Sequence, residues 1–65
     1  MITVNGRDTD HVVDETVAGL LKRLNYIFPL VIVKMDGSVV PRESFASHTV
    51  PDDVTIEVIH LTSGG

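Results

Sequence analysis

Few residues in this chain are equipped for chemistry, and those that are stand apart. His11, His48 and His60 show no HxH or HExxH spacing, so each reads as a surface or sheet residue and no metal site is expected. Ser38, Ser44, Ser47 and Ser63 lack the strand–turn–helix context of a nucleophile elbow. Asp8, Asp10, Asp14 and Glu15 gather near a hairpin and a helix start, where capping and solvation account for them, and Asp52 and Asp53 suit a turn. There is no cysteine among the 65 residues, which removes disulfides, thiolate nucleophiles and Cys-ligated zinc together. No glycine-rich phosphate loop opens the helix, because "NGRDTD" lies between strands. Neither a side-chain catalytic centre nor a bound cofactor is expected.

The C-terminus offers another kind of chemistry, since the chain ends "HLTSGG". Without a Cβ, Gly64 can thread a narrow channel and leave the carbonyl of Gly65 open to attack. A carboxylate is a poor electrophile, but adenylation by ATP turns it into a mixed anhydride with AMP as leaving group. A sulfur nucleophile displacing AMP would leave a C-terminal thiocarboxylate. With no cysteine, the chain has hardly another place to carry sulfur covalently. Two glycines alone do not separate a working end from an accidental one, because terminal residues are usually poorly ordered and tolerant of change.

The elements that must position this end belong to one small domain. A chain this short buries only roughly 60 % of the surface its unfolded form exposes, so a ligand pocket of the usual roughly 300–1,000 Å³ would be a large void in it. Hydrophobic residues make up 43 %, which argues against disorder. The longest apolar stretches, such as "LVIV" at 30–33, fall far short of a membrane span, and the start lacks a signal-peptide pattern. A cytoplasmic location and no membrane partner are expected. The net charge is −4 and the basic residues Arg7, Lys22, Arg23, Lys34 and Arg42 are scattered. That field does not suit nucleic acid and does suit basic protein partners.

Periodicity orders the elements. Ile2 and Val4 alternate as in a half-buried strand, Asn5-Gly6 favours a tight hairpin turn, and "RDTDHVV" reads as a weaker returning strand. Val17, Leu20, Leu21 and Leu24 then fall on one helical stripe, with Asp14 or Thr16 as the N-cap. Gly19 in that helix either allows close packing or is simply tolerated. Phe28 before Pro29 is pushed towards extended geometry, which predicts a helix end by about Tyr26 or Ile27. "LVIVKM", a second hairpin signal at Asp36-Gly37 and a short strand at Val39–Val40 come next. "PRESFASHTV" reads as a loop with one helical turn and Phe45 as its buried anchor. The last strand is "VTIEVIHL". One helix must bury its stripe against one sheet face, which predicts a two-layer α+β domain with a right-handed crossover through the helix.

On that last strand Val54, Ile56, Val58 and His60 share the core face, with Thr55, Glu57, Ile59 and Leu61 opposite. Ile59, Leu61 and Ile32 are thus apolar candidates for a partner-binding face just before the tail. The competing reading is that loop residues such as Phe45 cover them.

The blocks "VNG", "ETVAGLLKRL", "DGSVVPRESF" and "VTIEVIHLTSGG" together resemble the ThiS family of sulfur carriers in thiamine biosynthesis, over essentially the whole chain. The middle block, with its Val-Pro-Arg run at 40–42, is the most specific. Asp36, Phe45, Asp53 and Ser63 depart from residues common in the family, conservatively for the fold. The resemblance implies a β-grasp, ubiquitin-like fold over residues 1–61, with a mixed sheet on one main helix and a flexible Gly-Gly tail at 62–65. It further implies a protein cosubstrate that binds no cofactor and is a monomer when free. An adenylating enzyme of the ThiF type would activate Gly65 with ATP, with Gly64 giving a narrow approach. Sulfur derived from cysteine through a desulfurase would then form the thiocarboxylate, which supplies a thiazole synthase of the ThiG type. The related MoaD-like carriers of molybdopterin synthesis share the fold and the Gly-Gly end but lack the Val-Pro-Arg block, and rank second. A ubiquitin-like protein modifier and a passive interaction domain are the remaining readings. Arg42 is expected to pair locally, for instance with Glu43, and Pro41 to shape the turn.

Overall fold

The computed structural model describes residues 1–26 and 30–61. Two tight turns set the strand pairs. β1 (Ile2–Val4) passes through Asn5 and Gly6, with φ of 51° and 81°, into β2 (Arg7–Thr9). β3 (Val31–Met35) passes through Asp36 and Gly37, with φ of 50° and 84°, into β4 (Ser38–Val40). Positive φ at both central residues is what a type I′ hairpin turn requires, so both hairpins form where the sequence signals them. The returning strand is shorter than expected. Ile2 pairs with Thr9, which exhausts the three residues of β1, so "DHVV" has no partner in the sheet. Val12 and Val13 are exposed instead.

The single α-helix among the described residues, α1 (Val17–Arg23), has the donors of its first turn occupied. Thr16 is the N-cap, its Oγ1 accepting from the Gly19 N–H at 3.1 Å. The Val17 and Ala18 N–H groups donate to the carbonyls of His48 and Phe45 at 2.8 and 2.9 Å. Asp14, the other candidate cap, lies in the preceding turn with φ of 62°. The helix stops before the expected boundary because Asn25 adopts φ of 67°. The Tyr26 N–H then reaches the Leu21 carbonyl at 2.7 Å and the Asn25 N–H that of Lys22 at 3.2 Å, a Schellman ending. Phe28 and Pro29, which the sequence marks as the stop, lie outside the described residues.

β5 (Thr55–His60) lies at the centre of a five-stranded sheet of order β2-β1-β5-β3-β4. It runs parallel to β1 and antiparallel to β3, and the outer pairs are antiparallel. β2 and β3 therefore point the same way, joined through α1. Buried Ile2, Val4, Val33, Val40, Ile56 and Val58 from the sheet meet Val17, Leu20 and Leu21 from the helix, giving the expected two-layer α+β arrangement. Between β4 and β5 the chain makes a 3-10 turn at Arg42–Ser44, begun by Pro41 at φ −60°, and closes over the helix start. The Val50 N–H donates to the Glu15 carbonyl at 2.8 Å and Val50 is buried. Phe45 is half-buried against the core from the helix side. It anchors the loop as expected, while Val50 is the more deeply buried residue of the segment.

Candidate functional site

Strand alternation on β5 divides its side chains as the sequence predicts. Val54, Ile56 and Val58 are buried, and Thr55, Glu57, Ile59 and Leu61 are exposed. His60 departs from the expectation: it shares the parity of the core residues but is exposed, two residues past Val58 at the strand's end. Ile59 pairs directly with Ile32 of β3, so the two predicted residues are cross-strand neighbours. The Leu61 N–H donates to the Leu30 carbonyl at 3.0 Å, which carries the same register one rung further. Leu30, Ile32, Ile59 and Leu61 thus form one apolar cluster on the face opposite α1. Ile59 is 37 % exposed and Leu30 and Leu61 are each 44 % exposed, with Ile32 half-buried.

Phe45 does not cover this cluster. Its carbonyl is bound to the helix start and its ring packs on the core from that layer. Leu30 escaped the sequence reading, although it stands two residues before Ile32 and shares its parity. Next to the cluster Lys34 stands opposite Glu57, and Val39 opposite Lys34, so an acid, a base and a further exposed apolar residue border it. Arg42 is exposed and makes no ion pair among the described residues, Glu43 included, contrary to the expected local pairing. Gly64 and Gly65, the predicted reactive end, lie with the rest of 62–65 outside the described residues.

Several other polar residues have structural partners. His11 donates from Nε2 to the Val50 carbonyl at 3.0 Å. Arg23 grips Glu15 with two hydrogen bonds, Nε to Oε2 at 2.8 Å and Nη2 to Oε1 at 2.9 Å, and Nη2 also reaches the Asp10 carbonyl at 2.9 Å. Hydrogen bonding to Glu15 raises the Arg23 pKa further. The Met1 ammonium pairs with Asp52. Their hydrogen bond raises the ammonium pKa and lowers that of Asp52, which also accepts from the Asp53 N–H. Among the described residues, no three His, Cys, Asp or Glu side chains gather closely enough to hold a metal ion. A cleft of about 160 Å³ between Val4, Arg7, Thr9, Leu24 and Tyr26 is smaller than the roughly 300–1,000 Å³ of ordinary ligand pockets. No helix among the described residues is long and apolar enough to cross a membrane.

Comparison with known proteins places the chain in context. The model of the ThiS family matches residues 2–65. A crystal structure of thiamine biosynthesis protein ThiS from Geobacter metallireducens is 33 % identical, with a TM-score of 0.79 over 98 % of this chain and 97 % of that one. A solution structure of a thiamine biosynthesis protein from the same organism is 32 % identical, with a TM-score of 0.76 over 98 % and 86 % of the two chains. No curated protein matches the sequence significantly. The likeness identifies the mixed five-stranded sheet and its helix as a β-grasp fold, as the sequence resemblance implied.

Proposed function

The chain belongs to the ThiS family, and from that membership we propose that it is a sulfur carrier in thiamine biosynthesis, a protein cosubstrate rather than a catalyst. The observation that carries this reading is the family match, which runs through to Gly65. In the proposed cycle an adenylating enzyme transfers AMP from ATP to the Gly65 carboxylate and releases pyrophosphate. A sulfide-level sulfur nucleophile derived from cysteine then attacks the adenylate carbonyl. The bond from carbon to the AMP oxygen breaks as the C–S bond forms, and AMP leaves to give a thiocarboxylate at Gly65. A thiazole synthase then takes the sulfur. Gly64 offers no side chain to obstruct entry into a partner's active site.

The outer apolar cluster supports the reading. A carrier must be recognised by several enzymes through its surface, and Ile59, Leu61, Ile32 and Leu30 lie on and beside the strand that leads into the tail. Aliphatic residues bordered by charge suit a transient protein contact. The carrier acts in the cytoplasm with these enzymes. Mass spectrometry tests the chemistry directly. Incubated with the adenylating enzyme, ATP and a sulfur source, the chain should exchange one oxygen for sulfur at Gly65. If neither adenylate nor thiocarboxylate forms under conditions that activate a known carrier, the proposal fails.

A further inference from the structure

The ladder between β1 and β5 ends in an unusual way. Thr3 pairs with Thr55 and Val4 with Ile56, and the Asn5 N–H donates to the Ile56 carbonyl at 2.9 Å. The next backbone groups of β5 that face β1 belong to Val58, but there the first strand has already turned away through Asn5 and Gly6. The side chain of Asn5 takes the vacant place. Its Oδ1 accepts from the Val58 N–H at 2.8 Å, and its Nδ2 lies 3.3 Å from the Val58 carbonyl and 3.1 Å from the Tyr26 hydroxyl. A carboxamide carries one acceptor and a donor pair, so it can stand in for a peptide unit where an aspartate or a serine cannot. The arrangement joins three segments: the first hairpin turn, the far half of β5 and the residue that closes the Schellman ending of α1.

Val58 is the last buried residue of β5 before the outer cluster and the tail. It immediately precedes Ile59 and stands three residues before Leu61. β3 holds this part of β5 from one side through Val31, Ile32 and Val33. On the other side Asn5 holds Val58. We propose that Asn5, beyond forming its turn, is a positioning residue. It fixes the far half of β5 and so sets how the outer cluster is presented to the activating enzyme. The proposal rests on the sulfur-carrier reading for its consequence in activation, and on the hydrogen bonds alone for its consequence in the strand.

Asn5→Gly separates the two roles of the residue, because glycine accepts the φ of 51° and has no carboxamide. Loss of both bonds to Val58 should speed its amide hydrogen exchange about tenfold, with the exchange of Leu20 and Val33 scaling only with global stability. The KM for the carrier in adenylation should rise about fivefold while kcat is held, because the docking strand must be reordered on binding. Asn5→Asp keeps the acceptor for the Val58 N–H but sets a second oxygen against the Val58 carbonyl, so it should fall between Gly and Asn. Arg23→Ala serves as the control, since it loosens the fold away from β5 and should leave KM unchanged when fully folded. A KM for Asn5→Gly within about twofold of the wild type, or an equal rise in Arg23→Ala, overturns the role in activation. If the wild type is not activated at all, the carrier reading falls instead. Asn5 is then judged by exchange alone, and unchanged Val58 protection overturns its positioning of the strand.

Discussion

Ile59→Asp is the sharpest test of the outer face. Ile59 is 37 % exposed and lies outside the buried core, so its replacement removes packing against its outer-face neighbours and none from the core. Substitutions at such strand positions span about 1 kcal/mol, a Tm change of roughly 4–8 °C for a domain of this size. Docking has a different arithmetic. Fully burying a Leu or Ile side chain contributes about 1.5–3 kcal/mol. Leu30, Ile59 and Leu61 still expose 44 %, 37 % and 44 % of their surface. Scaled by those fractions, each has about 0.6–1.3 kcal/mol left to gain and the three together about 2–4 kcal/mol. Ile59→Ala forfeits one share, which corresponds to a rise in KM of about threefold to sixfold. Ile59→Asp adds the burial of an unpaired carboxylate, a penalty of several kcal/mol, and should raise KM by about 100-fold or more. Aspartate is preferable to lysine here because a long lysine stem can lie along an apolar surface and keep its charge in water. ATP–pyrophosphate exchange by the adenylating enzyme, measured against carrier concentration, reads the effect, with thermal unfolding in parallel. An Ile59→Asp protein that is folded and activated with the wild-type KM would refute the assignment of this face to docking.

Three further predictions concern the scaffold. Arg23→Ala leaves the Glu15 carboxylate, whose side chain is only 9 % exposed, without its two-bond partner. It should destabilise the domain by about 2 kcal/mol in urea unfolding, and a change below about 0.5 kcal/mol would show the clamp to be incidental. Gly19→Ala should stabilise the domain by about 0.5–1 kcal/mol through helix propensity. A Cβ there meets only Glu15 Cγ at 3.4 Å and Thr16 Oγ1 at 3.5 Å, so the glycine is tolerated rather than required, and a lower Tm would contradict this. The Met1–Asp52 pair makes stability depend on pH at both ends. The lowered Asp52 pKa contributes stability above the unfolded carboxylate value, lost as pH falls through the folded one. The raised ammonium pKa contributes stability below the unfolded α-amino value, lost as pH rises through the folded one. The pair therefore acts fully only between about pH 4 and 8, and Asp52→Asn should flatten the profile at both flanks of that window. An identical profile in the variant would rule the pair out.

Local signals in the sequence were sufficient wherever a residue's own backbone preference or a short period decides the outcome. Asn5-Gly6 and Asp36-Gly37 specify type I′ turns because both pairs tolerate positive φ, and the structure has those angles. Alternation along "VTIEVIHL" divided the buried from the exposed residues of β5, with His60 the exception. The 3.6 period placed Val17, Leu20 and Leu21 in the core. The family blocks identified the family and, with it, the fold.

What escaped local reading depends on neighbours distant in sequence. The second strand ends at Thr9 because its partner has only three residues, a limit invisible in "RDTDHVV" itself. The helix N-cap was ambiguous until the carbonyls of Phe45 and His48 took the first two helical amides and Thr16 closed on Gly19. The outer cluster became a surface only when register set Ile32 beside Ile59 and brought Leu30 to Leu61, and when Phe45 turned to the helix layer. Asn5 was legible as a turn residue. That its carboxamide also completes the ladder to Val58, 53 positions away, is a consequence of the parallel pairing of β1 with β5. Periodicity and φ preference are carried by adjacent residues, whereas register and coverage arise when distant segments meet, so the first were readable from the chain and the second needed the fold.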